Sequence, residues 1–405
     1  MSDPTAAAPT AAAPHPAHDV TVLPIIGAIA VCHMLNDLMQ SLIPAIYPIL
    51  KDELALTFGQ IGLITFVFQG VASLLQPVVG MVTDRRPMPF SLVAGMGFTL
   101  IGLLLLSHAA AFWIVLVAVA LVGLGSSVFH PESSRIARLA AGRRPGFAQS
   151  VFQVGGNAGS ALGPLLAAFI VVPFGQGSIG WFALVALAGM TVLWVVGRWY
   201  AGEGMRRLHG ARRARAGHDL PQARVVLAIV VLIALTFSKF VYMASYSSYY
   251  TFWLIDRFGV SVAQSQLFLF IFLLAVAVGT IIGGPIGDRI GRKRVIWVSI
   301  LGVSPLAMLV PQLPLWPAVA VSALAGMVLA SAFPAIIVYA QDLLPKKVGL
   351  VAGLFFGLAF GMGALGAAAL GQIADATSIG HVFFLCSFLP LIGVLAVFLP
   401  DVKRV

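Results

Sequence analysis

Four polar side chains share one face of the first long apolar segment of this sequence. Counted from the first of them, they follow at positions i+3, i+4 and i+7, which lie on one face of an α-helix; they are His33, Asn36, Asp37 and Gln40. A carboxylate at the centre of an apolar segment costs about 2.5–3.5 kcal/mol to insert into a membrane, so a functional role is expected of it. We interpret Asp37 as a functional residue and its three neighbours as candidates for a binding site around it. A structural hydrogen bond between two helices is the alternative.

A second acid lies at the end of the fourth apolar segment. Glu132 and Arg135 are three residues apart, so on a helix they can form a local ion pair. We expect a functional role for this pair, with Arg135 as the cationic partner of the acid. A purely structural salt bridge is the alternative.

Two further segments carry polar side chains at helical spacing. Gln153 and Asn157 are four residues apart in the fifth segment and are expected to face a cavity. Lys239 lies near the middle of the seventh segment, where a lone ammonium predicts either an acid partner or an anionic ligand. Tyrosines on the same helical face predict a binding wall, with simple packing as the alternative; they are Tyr242, Tyr246 and Tyr250.

Patterns typical of enzymes are missing from the sequence. It has no Gly-rich phosphate loop, no His/Cys metal spacing and no Ser/His/Asp arrangement. We therefore expect no catalytic residues, no metal and no cofactor. Because no nucleotide-binding segment is recognisable, the energy for any transport must come from a gradient of an ion or solute.

The composition is that of a polytopic membrane protein. Hydrophobic residues make up 60% of the 405 residues and charged residues only 9%, whereas soluble domains carry about 25% charged residues. Crossing a ~30 Å hydrocarbon core takes about 20 residues of helix. Twelve apolar segments are predicted to do so, at 22–49, 57–83, 90–107, 112–139, 147–172, 178–200, 224–254, 262–287, 295–312, 316–343, 348–373 and 378–400.

The net charge of +10 is concentrated in alternate gaps between these segments. This alternation follows the positive-inside rule and argues against nucleic-acid binding. It predicts that both termini and the central Arg-rich loop are cytoplasmic. We expect a disordered cytoplasmic tail at 1–20, six-helix bundles at 21–200 and 223–405, and a cytoplasmic linker at 201–222.

The pattern Gly-x-x-x-Asp-Arg occurs twice, at Gly80–Arg85 and Gly284–Arg289, 204 residues apart. This offset is about half the chain, so the two halves are internal repeats, and parallel repeats are typical of one large class of transporters. Both loops resemble the signature of the major facilitator superfamily, although Pro87–Pro89 replaces part of the pattern in the first copy.

The resemblance implies an all-α integral membrane fold of twelve transmembrane helices, in two six-helix bundles related by pseudo-two-fold symmetry. In the family the loop latches the halves together on the cytoplasmic side. A Gly-Pro pair in the fifth segment resembles the antiporter motif of the family. The gating candidates implied in this way are Asp84, Arg85, Asp288, Arg289, Gly163 and Pro164.

Longer stretches, including Ser126–Ser134 and Gln149–Asn157, resemble bacterial drug exporters of this superfamily. The resemblance implies a proton-coupled antiporter in the bacterial inner membrane, working by alternating access. Combined with the buried charges, it makes Asp37, Glu132 and Arg135 the candidate proton-coupling residues, and His33, Asn36 and Gln40 candidate substrate-binding residues. Its expected partners are protons, the lipid bilayer and a small drug, with a phosphonate anion as the expected class; we expect a monomer. The alternative is a proton-coupled importer, or symporter, of a small organic anion on the same fold.

Overall fold

The computed structural model describes residues 20–46, 49–50, 53–56, 58–214 and 220–401. Nearly all of the predicted tail therefore lies outside the described residues. The described part is helical and contains no β-strand. Ten helices within it are long and apolar enough to cross a membrane, and Ser91–Ser107 is a shorter apolar helix. The prediction of an all-α, multi-pass membrane protein is confirmed.

Six helices form the first half, close to the predicted segments. The second is interrupted at Leu75, directly before Gln76-Pro77, and the fifth is extended by a π-helical turn, Ala167–Val171. The helices are α1 (Leu23–Ala45), α2 (Phe58–Leu74 and Gln76–Arg85), α3 (Ser91–Ser107), α4 (Phe112–Ala140), α5 (Pro145–Leu166) and α6 (Phe182–Trp199).

Six further helices form the second half. The tenth is interrupted at Ser331, in the same manner as the second, and the twelfth changes to a 3-10 helix at Leu389. The helices are α7 (Gln222–Phe258), α8 (Val262–Ile290), α9 (Arg292–Ile300 and Ser304–Leu309), α10 (Leu315–Ala330 and Ala332–Leu343), α11 (Val348–Ala376) and α12 (Ile379–Cys386 and Leu389–Phe398).

Local sequence signals explain several helix ends. At the start of α8, the Ser261 hydroxyl accepts a hydrogen bond from the Gln264 backbone amide, and the Gln264 side chain accepts one from the Ser261 amide, both at 3.2 Å. This capping box satisfies amides that a helix start otherwise leaves unpaired. At the end of α7, Gly259 takes a positive φ of 64°, a conformation that glycine adopts without strain.

The predicted linker is partly helical. A π-helical turn, Tyr200–Gly204, continues α6 into a short helix, Met205–Ala214. The buried Arg207 side chain fixes this helix to the first half, because it donates to the Leu139 carbonyl at 3.3 Å and pairs with Glu203 at 2.9 Å. Residues 215–219 lie outside the described part of the chain.

Small residues allow α1 and α5 to approach closely, as the spacing of glycines in the fifth segment predicts. A methyl group added at Gly155 would overlap the Ala30 carbonyl, and one at Gly159 would overlap the Met34 carbonyl. Gly163 lies against Ser41 in the same way. The packing interpretation of these glycines is confirmed, whereas a gating role for Gly163 stays a prediction. The side chain of Pro164 lies outside the described part.

The pseudo-two-fold relation is visible in the helix contacts. Within the halves, α1 packs on α5 as α7 packs on α11, and α2 packs on α4 as α8 packs on α10. Between the halves, α2 packs on α11 and α8 packs on α5. Each contact in one half thus has a counterpart six helices further along the chain, which confirms the two-bundle architecture.

Candidate functional site

Asp37 is the centre of a buried polar cluster between α1 and α4. Its carboxylate oxygens lie 3.3 Å from Nε2 of His33 and 3.4 Å from Nε2 of His130. The side-chain amides of Asn36 and Gln40 donate to the same carboxylate at 3.1 and 3.3 Å. All four polar residues predicted on the face of α1 therefore meet here.

Neighbouring helices hold both imidazole rings in place. Nδ1 of His33 lies 2.7 Å from the Phe152 carbonyl oxygen, and the His33 ring stacks on the Phe152 ring with centroids 4.0 Å apart. Nδ1 of His130 lies 3.0 Å from the Ser126 carbonyl oxygen. Gly156 closes the cluster on the α5 side, since a methyl group added there would come within 2.5 Å of Nε2 of His33.

The cluster is almost closed to solvent. Only 8% of Asp37 is exposed, compared with 1% of His33 and none of His130. The nearest side-chain nitrogen and oxygen atoms of these three residues lie within 4.8 Å of one another. Burial of a carboxylate is tolerable only where donors or cations compensate for the lost water, and here the histidines and amides do so.

Sequence reasoning assigned no role to His130 or Gly156. His130 lies on a different helix from Asp37, so helical spacing cannot pair the two. The available signal was composition, because a histidine next to a proline in a long apolar segment is as costly to insert as other polar groups. Gly156 was visible only as part of a glycine-rich stretch.

Glu132 and Arg135 lie in a different place from Asp37. The expected ion pair between them is present at 2.9 Å, and Arg135 also contacts the Asp84 carboxylate at 2.6 Å. Arg135 further donates to the Thr83 carbonyl at 2.7 Å. These contacts link α4 to the end of α2, so the structure groups the pair with the gating candidates. Their role in proton coupling stays a prediction.

Two symmetric contacts join the halves at one end of the bundle. We call it the basic end, because it carries Arg85, Arg86, Arg143, Arg144, Arg289 and Arg294. The Asp84 carboxylate accepts hydrogen bonds from the first amides of α11, Gly349 at 3.0 Å and Leu350 at 2.8 Å. Such amides have no partner within their own helix, and the helix dipole favours an anion there.

Asp288, the repeat counterpart of Asp84, makes the equivalent contact from the second half to the first. The Asp288 carboxylate accepts from the first amides of α5, Gly146 at 3.1 Å and Phe147 at 3.0 Å. The backbones touch at both crossings, because a methyl group at Gly80 would overlap the Gly349 carbonyl and one at Gly284 would overlap the Gly146 carbonyl. The gating candidates Arg85 and Arg289, by contrast, are exposed.

Further polar contacts cross between the halves inside the basic end. The Asp342 carboxylate on α10 contacts both Arg138 on α4 and Arg292 on α9. The Gln341 side chain donates to the Ser134 hydroxyl at 3.2 Å, which donates to Gln149 at 3.1 Å. The basic end is therefore closed in this structure.

Lys239 lies in an aromatic environment in the second half. Its ammonium is 4.9 Å from the Phe240 ring centroid and 4.8 Å from that of Phe333. Within the described part of the chain, no carboxylate lies in ion-pair distance of it. The Phe333 ring contacts Phe356, which in turn contacts the His130 ring at 5.4 Å. Two phenyl rings thus separate the ammonium from the Asp37 cluster.

The tyrosines of α7 lie inside the second half rather than at a surface. The ring of Tyr246 stacks on Phe272 of α8 with centroids 4.2 Å apart. Its hydroxyl accepts from Tyr242 at 3.1 Å and lies 3.3 Å from the Ser322 hydroxyl. Tyr250 is fully buried beside them. This burial favours the packing interpretation of the tyrosine face, and a binding wall there stays a prediction.

Gln153 and Asn157 lie on α5, where they flank Gly156 in sequence. Both are half-buried, and the Gln153 amide donates to Asn157 at 3.5 Å. The carbonyl oxygen of Gln153 is buried without a hydrogen-bond partner among the described residues. A buried group with unused hydrogen-bonding capacity can receive a polar ligand. That Gln153 and Asn157 face a cavity stays a prediction.

The fold and the family match point to a polytopic membrane protein of a transporter family. The chain belongs to the major facilitator superfamily, whose model matches residues 29–254 and 231–405. It is similar to the fosmidomycin resistance protein of Escherichia coli (strain K12), with 59% identity over 378 residues and 93% of each chain covered. An uncharacterized MFS-type transporter of Bacillus subtilis (strain 168) is 43% identical over 386 residues, covering 95% of this chain and 94% of that one.

Solved structures show the same fold at much lower identity. The MFS transporter FucP in the outward conformation superposes with a TM-score of 0.71 at 13% identity, covering 95% of this chain and 100% of that chain. The proton:xylose symporter XylE gives a TM-score of 0.71 at 13% identity, covering 93% and 95%. At this identity the likeness shows the fold alone.

Proposed function

We propose that this chain is a proton-coupled antiporter that exports fosmidomycin by alternating access, with other small drugs as further candidate substrates. The observation that carries the proposal is the Asp37 cluster, a buried carboxylate contacted by His33 and His130 inside a major facilitator fold. Support for the cargo comes from the 59% identity to a fosmidomycin resistance protein. In this account the protein confers resistance by lowering the cytoplasmic drug concentration.

We place the basic end in the cytoplasm and both termini with it. The support is the excess of Lys and Arg in the loops of that end, which follows the positive-inside rule. With this orientation, the structure is closed to the cytoplasm by Asp84 and Asp288. The membrane is then the bacterial inner membrane, and drug and protons move in opposite directions across it.

The anionic head group of the drug needs a cationic receptor, and we propose Lys239 for this role. Its ammonium is buried, and its contacts among the described residues are the faces of Phe240 and Phe333, which are weaker partners than an anion. His33, Asn36, Gln40, Gln153 and Asn157 are proposed as further polar contacts. An anion leaving an inside-negative cell gains about 2.3 kcal/mol per charge per 100 mV, and proton entry adds to this.

Proton binding and drug binding must be coupled in free energy for a gradient of one to drive the other. The sign of this coupling separates the two directions of transport. An antiporter releases protons when the drug binds, whereas the alternative, a symporter of a small organic anion, takes protons up. Calorimetric titration of the purified protein with fosmidomycin in two buffers of different ionisation enthalpy measures this sign.

Transport itself is tested in inside-out membrane vesicles that contain the protein. We expect fosmidomycin to accumulate when the vesicle interior is made acidic, and accumulation to stop when the pH gradient is dissipated. Vesicles without the protein are the control. Drug binding without gradient-dependent accumulation would contradict the antiport proposal and point to the importer or to another cargo.

A further inference from the structure

Both histidines of the Asp37 cluster are fixed with the same ring nitrogen toward a backbone carbonyl. Nδ1 of His33 faces the Phe152 oxygen at 2.7 Å, and Nδ1 of His130 faces the Ser126 oxygen at 3.0 Å. A carbonyl oxygen can only accept a hydrogen bond, so Nδ1 must carry a hydrogen in both rings. A neutral ring in this tautomer has a bare lone pair at Nε2.

Both Nε2 atoms point at the carboxylate of Asp37, at 3.3 and 3.4 Å. A lone pair facing a carboxylate oxygen brings two acceptors together with no hydrogen between them, which is unfavourable in a buried site. Nε2 of His130 is buried and lacks a hydrogen-bond partner among the described residues. An Nε2–H group on each ring, directed at the carboxylate, would supply the missing hydrogens.

We infer that the His33–Asp37–His130 cluster is a two-proton site in which one proton is held at Nε2 of each histidine. Each proton comes from bulk water and forms one N–H bond. The charge of the cluster changes from −1, with a carboxylate and two neutral rings, to +1, with a carboxylate and two imidazolium rings. This inference deepens the proposed function and rests on it for the use of the protons in transport.

No other charged group competes for these protons in the described surroundings of the cluster. On α1 the remaining polar neighbours are the amides of Asn36 and Gln40. The α5 side presents the Phe152 ring and Gly156, and α11 presents the rings of Phe356 and Phe360 to His130. Glu132 and Arg135 on α4 are paired with each other, and Arg135 also with Asp84.

A two-proton site has a thermodynamic consequence for transport. A pH difference of one unit is worth about 1.4 kcal/mol per proton. One coupled proton therefore supports about a tenfold drug concentration ratio per pH unit, and two support about a hundredfold ratio. The third residue of the cluster, His130, is thus a positioning residue for the carboxylate and also a carrier.

Nitrogen-15 NMR of histidine side chains in the purified, drug-free protein tests the inference directly. We expect two rings to carry hydrogens at both nitrogens at pH 7. One of these signals should disappear in His33→Gln and the other in His130→Gln. His108→Gln, which changes an exposed histidine outside the cluster, should remove neither.

The two-proton site would be overturned if, at pH 7, either ring lacked a hydrogen at Nε2, or carried a hydrogen at Nε2 but none at Nδ1. The measurement needs neither drug nor gradient, so its failure is distinct from failure of the proposed function in vesicles. If vesicles show gradient-driven export while only one ring is doubly protonated, antiport stands and the two-proton count is wrong. If both rings are doubly protonated and no export occurs, the site stands and the cargo or direction is wrong.

Discussion

Asp84 and Gly349 belong to different halves of the molecule, and the Asp84 carboxylate accepts a hydrogen bond from the Gly349 amide at 3.0 Å. Their repeat counterparts, Asp288 and Gly146, make the same contact at 3.1 Å. The two contacts are related by the internal repeat, so each half caps a helix of the other. Closure of the basic end therefore depends on two equivalent carboxylates.

Asp84→Asn and Asp288→Asn should each favour opening of the basic end. Hydrogen bonds that involve a charged group contribute about 1.5–3 kcal/mol, so loss of the charge should shift the closed-to-open ratio roughly tenfold. The measurement is the alkylation rate of a cysteine introduced by Ser134→Cys, because Ser134 is buried against Gln341 of the other half.

Asp401→Asn is the matched control for both gate variants. Asp401 contacts Lys293 at 3.4 Å with 87% of its side chain exposed, and an exposed pair contributes little. The Asp401→Asn substitution should therefore leave the alkylation rate of the introduced cysteine unchanged. Equal rates in all three variants and the parent would show that the two carboxylates do not hold the basic end closed.

Gly80→Ala and Gly146→Ala should open the same end by a steric route. A methyl group at either position meets the backbone or the Asp288 side chain of the opposite half, which cannot move without separating the helices. Gly361→Ala on α11 is the control, because a methyl group there meets no atom within 4 Å. We expect the cysteine introduced by Ser134→Cys to be alkylated faster in Gly80→Ala and Gly146→Ala, but not in Gly361→Ala. Unchanged rates would contradict close backbone contact where the helices of the two halves cross.

Gly156→Ala should disturb the Asp37 cluster without changing its ionisable residues. The added methyl group would lie 2.5 Å from Nε2 of His33 and 2.8 Å from the Asp37 carboxylate, so one of the two must move. We expect loss of gradient-driven fosmidomycin transport in folded protein. Gly27→Ala on α1, where a methyl group meets nothing within 4 Å, should transport normally; parent-like transport by Gly156→Ala would argue against a tightly defined cluster.

Lys239→Ala should impair transport of an anionic drug more than that of a neutral one. The reason is that the ammonium is the buried cation proposed to receive the anionic head group, whereas a neutral drug needs no such partner. Competition assays in vesicles, with one anionic and one neutral substrate, measure the ratio of the two losses. An equal loss for both substrates would remove the proposed role of Lys239 and leave it as a packing residue over Phe240 and Phe333.

Periodicity along a single helix predicted much of the fold and part of the site. The spacing of His33, Asn36, Asp37 and Gln40 predicted a polar face on α1, and the structure brings all four together. Hydropathy likewise predicted the extent of the helices to within a few residues, but not the interruptions within α2, α9, α10 and α12. Spacing and hydropathy are properties of a single segment, so they are sufficient to predict which face of a helix is polar.

Contacts between helices lie beyond such signals. His130 contacts Asp37 across 93 positions of sequence, and Arg135 pairs with Asp84 across 51; neither distance is encoded in a helical period. The tyrosines of α7 show a second limit of helical spacing, because a buried aromatic stripe and a binding wall have the same spacing in sequence. The repeat alone carried long-range information, because it identified Asp84 with Asp288, and the structure gives these two carboxylates equivalent contacts.

Proton coupling through Asp37 is tested most directly by comparing parent protein and Asp37→Asn in the same inside-out vesicles. We expect Asp37→Asn still to exchange fosmidomycin down its own gradient, in counterflow, but no longer to accumulate it when the vesicle interior is acidic. The amide keeps the size of the side chain but can neither hold a proton nor pair with imidazolium. Uphill accumulation by Asp37→Asn at the rate of the parent would contradict the claim that this carboxylate couples protons to transport.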